Sequence, residues 1–106
     1  MAQKKIIEIV KKYVQKLKEN NVDVFKVFLY GSQVLGTYNE YSDIDVAVIS
    51  PNFGKNYLEE CRLLMKLTRN VDLMISPQPY AVEEYEKASK GTFLWQEIIQ
   101  KGKVIE

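Results

Sequence analysis

A chain of 106 residues, 46% apolar and 27% charged, with 5 glycines and 3 prolines, has the composition of one globular domain with a single core of modest extent. Its 15 basic and 14 acidic side chains leave a net charge of +1, so the total supplies no attraction for a long nucleic acid. With no histidine and one cysteine, an intramolecular disulfide and the usual zinc sites are excluded, and any metal must be held by oxygen, which suits magnesium, manganese or calcium.

The stretch MAQKKIIEIVKKYVQKLKEN is charged throughout and lacks the apolar centre of a signal peptide. No apolar run approaches the length that spans a bilayer, so the expectation is a cytoplasmic protein without a membrane partner. Ile6, Val10, Tyr13, Val14 and Leu17 recur at helical spacing and predict an amphipathic helix over 3–19, with Lys4, Lys5, Lys11 and Lys12 on its solvated face and Asn20-Asn21 as its stop. VDVFKVFLY, residues 22–30, reads as a strand whose second half is apolar on both faces, as in a central strand covered on each side. Gly31 breaks it, and Ser32 is placed to cap a short helix through about Leu35.

DIDVAVIS, residues 43–50, is a second strand, rich in β-branched residues and closed by Ser50-Pro51. A helix follows over 56–69 with Leu58, Cys61, Leu64 and Met65 inward, Cys61 being a small buried hydrophobe of a reducing compartment. NVDLMIS, residues 70–76, is a third strand ended by Pro77 and Pro79. Helices over 80–89 and 92–100 split near Gly91, and KVIE adds a short terminal strand. In the last helix Leu94, Trp95, Ile98 and Ile99 form the inward face, which leaves Phe93 outside it. Strands alternating with helices predict an α/β (α+β) domain, one unit over 1–106, with helices packed on one sheet.

Asp43 and Asp45 stand two apart in a strand and project to the same face, with about 6–7 Å between Cα atoms, while Ile44, Val46 and Val48 face apolar packing. Carboxylates that close resist joint ionisation unless a cation sits between them. Asp72, between Val71 and Leu73, joins them if the third strand lies beside the second. Three carboxylates without histidine suit magnesium, particularly with phosphate oxygens completing the shell. Gly31-Ser32, at a strand-to-helix turn, offers backbone N–H groups and a hydroxyl to such a phosphate. Phosphate cradle and metal carboxylates together suggest phosphoryl or nucleotidyl transfer. Each piece alone is commonplace, since aspartates often start strands and glycine-serine often follows them.

Gly31-Ser32, ten residues, then Asp43-Ile44-Asp45 resembles the glycine-serine and Asp-x-Asp signature of the DNA polymerase β-like nucleotidyltransferases. VDLMIS is similar to the strand carrying that superfamily's third carboxylate, and the order of elements resembles the minimal nucleotidyltransferases (the MNT group) over about residues 5–106. The resemblance implies a mixed sheet of three to four strands flanked by helices. It implies two magnesium ions, with manganese as the substitute, ATP as substrate, and attack of an acceptor hydroxyl on the α-phosphate. Asp43, Asp45 and Asp72 would then be the catalytic metal ligands, and Gly31, Ser32 and Gln33 the nucleotide-binding turn. Many members carry a basic residue where this chain has Gln33, which donates a hydrogen bond but brings no charge. Gly36 matches the small residue that often closes the turn.

No segment is left over to grip an acceptor, so the acceptor surface is expected to be thin or supplied by another chain. The resemblance implies a helical HEPN-type ribonuclease toxin as the partner, with this chain as the antitoxin that places AMP on one of its tyrosines. Two other readings stand beside this one: an antitoxin that neutralises by contact alone, and a freestanding transferase acting on a small molecule or a nucleic-acid end. Tyr38 and Tyr41, before Asp43, are placed either to stack on a base or to meet the partner, in a homo- or hetero-oligomer, or else to sit in solvent as ordinary loop tyrosines.

Overall fold

The computed structural model describes residues 3–31, 43–88 and 91–106. Helix α1 (Gln3–Glu19) buries Ile6, Val10, Tyr13, Val14 and Leu17, and the four lysines of its other face are exposed. It ends as the sequence predicts. Asn21 takes the left-handed conformation at φ 65°, the Val22 amide donates to the Leu17 carbonyl at 3.0 Å and the Asn21 amide to the Lys18 carbonyl at 3.2 Å. This closure uses asparagine where glycine is commoner, and Val22 is buried as its apolar lock.

Strand β1 (Lys26–Tyr30) is shorter than predicted, because Val22 serves that closure and the Asp23 amide donates to Asn52 Oδ1 at 2.8 Å instead of to a neighbouring strand. Strand β2 (Ile44–Ser50) follows the prediction. Helix α2 (Tyr57–Thr68) starts at Asn56, whose side chain accepts from the Glu59 amide. Strand β3 spans Ile75–Ala81, a short helix α3 spans Val82–Glu86, a π-helical segment α4 spans Leu94–Gln100, and β4 is Lys103–Val104.

The sheet order is β3-β2-β1-β4, with β1 antiparallel to both β2 and β4, and β3 parallel to β2. This is the mixed sheet that the resemblance implies, with four strands where three to four are expected. Alternation along β1 and β2 divides the interior in two. Val27, Leu29, Ile44, Val46, Val48 and Ile75 pack with α1 and α2, whereas Phe28, Tyr30, Ala47 and Ile49 pack with Leu94 and Ile98 of α4 and with Tyr85 of α3. Leu94 and Ile98 are buried and Trp95 and Ile99 half-buried, which is the inward face predicted for the last helix.

Two further predictions are corrected. The third strand runs through Pro77 and Pro79 and begins only at Ile75, which leaves Asp72 in the preceding turn. A proline removes one ladder donor, and alternate residues turn their N–H groups to the same side of a strand. Both missing donors therefore fall on one side, and β3 has an unpaired side to give them because it ends the sheet. In α2 the buried residues are Leu64, Leu67 and Thr68; Leu58 and Met65 point outward and Cys61 is half-buried. The helix has more apolar residues than one stripe can bury, and its neighbours select the stripe. The Tyr13 hydroxyl contributes by donating to the Leu64 carbonyl at 2.7 Å, in the buried contact between α1 and α2.

Tyr13→Phe removes that donor without emptying space, and is expected to lower stability by about 1 kcal/mol. Urea unfolding would read this as a lower midpoint with an unchanged slope; an unchanged midpoint would mean that the bond contributes nothing net.

Candidate active site

The registers bring the sequence-predicted residues to one end of the sheet. Tyr30, the last residue of β1, pairs with Asp45 near the start of β2, so Gly31 leaves β1 where β2 enters. Because β3 runs parallel to β2, it starts at that same end, with Ser76 beside Asp45 and the Ile44 amide donating to the Met74 carbonyl at 2.8 Å. Asp43 lies just ahead of β2 and is exposed, while Asp45 is half-buried on the face that holds Ala47 and Ile49.

Burial pushes the Asp45 carboxyl above the ordinary carboxylate range, and the charge of Asp43 raises it further. The strand places a charge where water is scarce and then adds a like charge two residues away. Gly31 closes the arrangement. Its φ of 77° is one that L side chains rarely adopt, and a Cβ there would run into Asp45 Oδ2. The backbone leaving β1 thus lies directly against the carboxylate. Tyr30 flanks the pair, and its hydroxyl is pushed well above the usual tyrosine range by burial first and then by Asp45. Exposed Phe93 packs edge-on against Tyr30, with ring centroids 6.2 Å apart.

Asp72 lies at this end too, in the turn before β3. Its Oδ1 accepts from the Met74 amide at 2.8 Å and its own amide donates to the Thr68 carbonyl at 2.9 Å. Among the described residues no group of three or more acidic, histidine or cysteine side chains forms a metal cluster, so Asp43 and Asp45 come together and Asp72 does not join them. Ser32, Gln33, Gly36, Tyr38 and Tyr41 lie outside the described residues. The pair fits a hard divalent cation: its donors are oxygens only, and a positive charge relieves the repulsion that raises Asp45.

Sequence reasoning missed Ser76, Gln78 and Tyr80, which continue the Asp45 face along β3. The signal was the alternation in ISPQPYA, half-buried at 76, 78 and 80 and buried at 75, 77 and 79, which the two prolines disguise as a strand end. A cavity of about 520 Å³ bordered by Tyr80, Ala81, Glu84 and Leu94 lies toward the other end of β3 and is lined by none of the three aspartates.

A family model for the nucleotidyltransferase domain matches residues 7–104. A Methanocaldococcus jannaschii protein, MJ1305, named provisionally as a protein adenylyltransferase, is 34% identical over 65 residues. The match takes in 60% of this chain and 44% of the relative, so the chain matches less than half the length of that curated protein. Among solved structures, a nucleotidyltransferase from Sulfolobus solfataricus, also named provisionally, superposes with a TM-score of 0.68 at 14% identity, over 96% of this chain and 80% of its own. The MntA-HpeT toxin-antitoxin, in a form with two aspartates two positions apart changed to glutamate, gives 0.55 at 22%, over 100% and 73%. These two likenesses bear on the fold. A toxin-antitoxin with AMP-PNP gives 0.58 at 26%, over 91% and 71%.

Two outcomes are expected. Folded Asp45 holds its proton more tightly than the unfolded chain does, so the stability this gives is present below about pH 3.8 and is lost as pH rises through the raised value. In metal-free buffer Asp45→Asn should therefore raise the urea midpoint at pH 7, with the gain over wild type vanishing below pH 3.8; a lowered midpoint at pH 7 would refute the strain. Gly31→Ala combines backbone strain with the clash against Asp45 and should cost more than about 1 kcal/mol in the same assay.

Proposed function

This chain belongs to the nucleotidyltransferase domain family, and on that premise we propose that it transfers AMP from ATP to a hydroxyl of a partner protein, a tyrosine of a helical HEPN-type ribonuclease toxin, and so acts as its antitoxin. The observation that carries the reading is the Asp43–Asp45 pair set against Gly31 at one end of the sheet. Three findings support it. The relative from Methanocaldococcus jannaschii is named for AMP transfer to protein. A toxin-antitoxin structure at 26% identity contains an ATP analogue. The paired changes in the MntA-HpeT structure have the spacing of Asp43 and Asp45.

In this reading Asp43 and Asp45 hold two magnesium or manganese ions. When bound, such ions neutralise the triphosphate and make the acceptor oxygen a stronger nucleophile. Asp72, at the same end of the sheet but outside the Asp43–Asp45 pair in this structure, with its Oδ1 held by the Met74 amide, is the third carboxylate of the proposal. Gly31, Ser32 and Gln33 hold the triphosphate, Gly31 by letting the backbone approach closely. The acceptor oxygen bonds to the α-phosphorus, the bond from that phosphorus to the oxygen bridging the β-phosphate breaks, and pyrophosphate leaves. The hydroxyl proton passes to a carboxylate of the site or to water. With ATP as its substrate, the proposed reaction is a cytoplasmic one, in keeping with the expectation from the sequence.

The test is to purify the chain with the protein encoded beside it and weigh that protein before and after incubation with ATP and magnesium. A gain of whole AMP units is expected, removed by chelation and reduced roughly a hundredfold or more in Asp43→Asn/Asp45→Asn. Neutralisation of the toxin by that variant with no mass gain would instead mean that contact suffices. Labelled AMP found only on a small molecule or an RNA end would mean a freestanding transferase.

A further inference from the structure

The outer face of α2 carries an apolar stripe that no described element of the chain covers. Leu58 is 68% exposed, Met65 52% and Leu73, in the following turn, 76%, and together they line one shallow groove. Single exposed apolar residues are ordinary, but three large ones along one groove are not a solvated face. Arg62, Lys66 and Arg69 line the same groove and make it cationic, in a chain whose total charge is only +1.

The two acids of the helix do not cancel this charge. Glu60 is turned to the preceding loop, where its carboxylate accepts from the Gly54, Lys55 and Asn56 amides. Glu59 pairs with Arg62 at 3.2 Å in a solvent-exposed contact of small worth. Lys66 and Arg69 have no ion pair among the described residues. Positions 58, 62, 65, 66 and 69 recur at helical spacing, so apolar and cationic residues run side by side along the helix. From Leu58 to Arg69 that is about 16 Å, the length of three helical turns.

We propose that this face is a docking groove for an acidic amphipathic helix of a partner protein, its apolar side on Leu58, Met65 and Leu73 and its carboxylates on Arg62, Lys66 and Arg69. Charge complementarity selects that occupant: a basic helix is repelled, and a second copy of the chain would set three cations against three. The groove ends at Leu73, next to Asp72 and at the end of the sheet where Asp43 and Asp45 lie, so the docked helix reaches the margin of the candidate site. The inference uses no step of the transfer reaction and stands or falls apart from it.

The probe is a fluorescent synthetic helix of about four turns, with leucines at i, i+3 and i+7 flanked by glutamates, and its lysine counterpart as control. The acidic helix should bind saturably, about tenfold or more tighter than the basic one, weaken with salt, and shift the amide resonances of α2 and Leu73. Leu58→Ser/Met65→Ser should weaken it about tenfold or more, and Arg62→Glu/Lys66→Glu/Arg69→Glu should invert the preference towards the basic helix. Circular dichroism and melting should be unchanged in these surface variants. Equal binding of the two helices, or shifts confined to other elements, would overturn the proposal. So would a concentration-dependent dimer that Met65→Ser abolishes, since the face would then belong to a second copy.

Discussion

The pairing of Tyr30 with Asp45 ties the fold to the candidate chemistry. Antiparallel pairing at this position means that β1 ends where β2 begins, so the backbone at Gly31 and the carboxylate of Asp45 share one small space. A side chain on residue 31 would fill it. The requirement for glycine is thus set twice, by φ and by the approach of the carboxylate, and either alone would restrict the position. Asp45 in turn keeps a raised proton affinity because β2 is covered on both faces and cannot swing its first residues into solvent. The repulsion with Asp43 is therefore built into the sheet, and a bound cation is what the geometry would reward.

The partition of the core explains why that strain is tolerated. Val46 and Val48 anchor β2 to α1 and α2, while Ala47 and Ile49 anchor it to α4. Any slip of register would exchange these two sets of side chains between faces. With both faces occupied, β2 is locked by four buried residues beyond Asp45, and the carboxylate follows from their placement. The parallel edge strand β3 completes the surface cheaply. Its two prolines remove two donors from the open side, and the Ile75 and Ala81 amides on that side are taken by the Asp72 carbonyl and the Glu84 carboxylate, which removes part of the template an edge strand offers to other chains.

Most of this was legible where periodicity and chemistry agreed. The α1 stripe, the β2 alternation, the terminal β4 and the α4 inward face are written in spacing alone, and the Gly31 and Asp45 positions in spacing plus family resemblance. The departures all arise where two readings of one pattern compete. Pro77 and Pro79 end a strand in a sheet interior but not at an edge, and a sequence does not announce which strand is the edge. Val22 and Asp23 suit a strand by composition, yet the helix closure and Asn52 claim them first. Asp72 suited the third strand, and the late start of β3 leaves its carboxylate bonded to the Met74 amide.

Helix α2 shows the same ambiguity with a functional consequence. Leu58, Leu64, Met65 and Leu67 cannot all lie on one stripe, and the inward choice of Leu64 and Leu67 is made by Tyr13 and by the sheet. What remains outside is then an arrangement of its own, because the cations at 62, 66 and 69 flank the displaced apolar residues at regular helical intervals. A helix whose only task was to cover the sheet would gain solubility from polar residues at 58 and 65. Keeping leucine and methionine there, beside Lys66 and Arg69, which have no ion pair among the described residues, and next to the turn that holds Asp72, favours a second contact surface. Such a surface on a chain this small would put partner recognition and the carboxylate pair at the same end of the sheet, with α2 as the link between them.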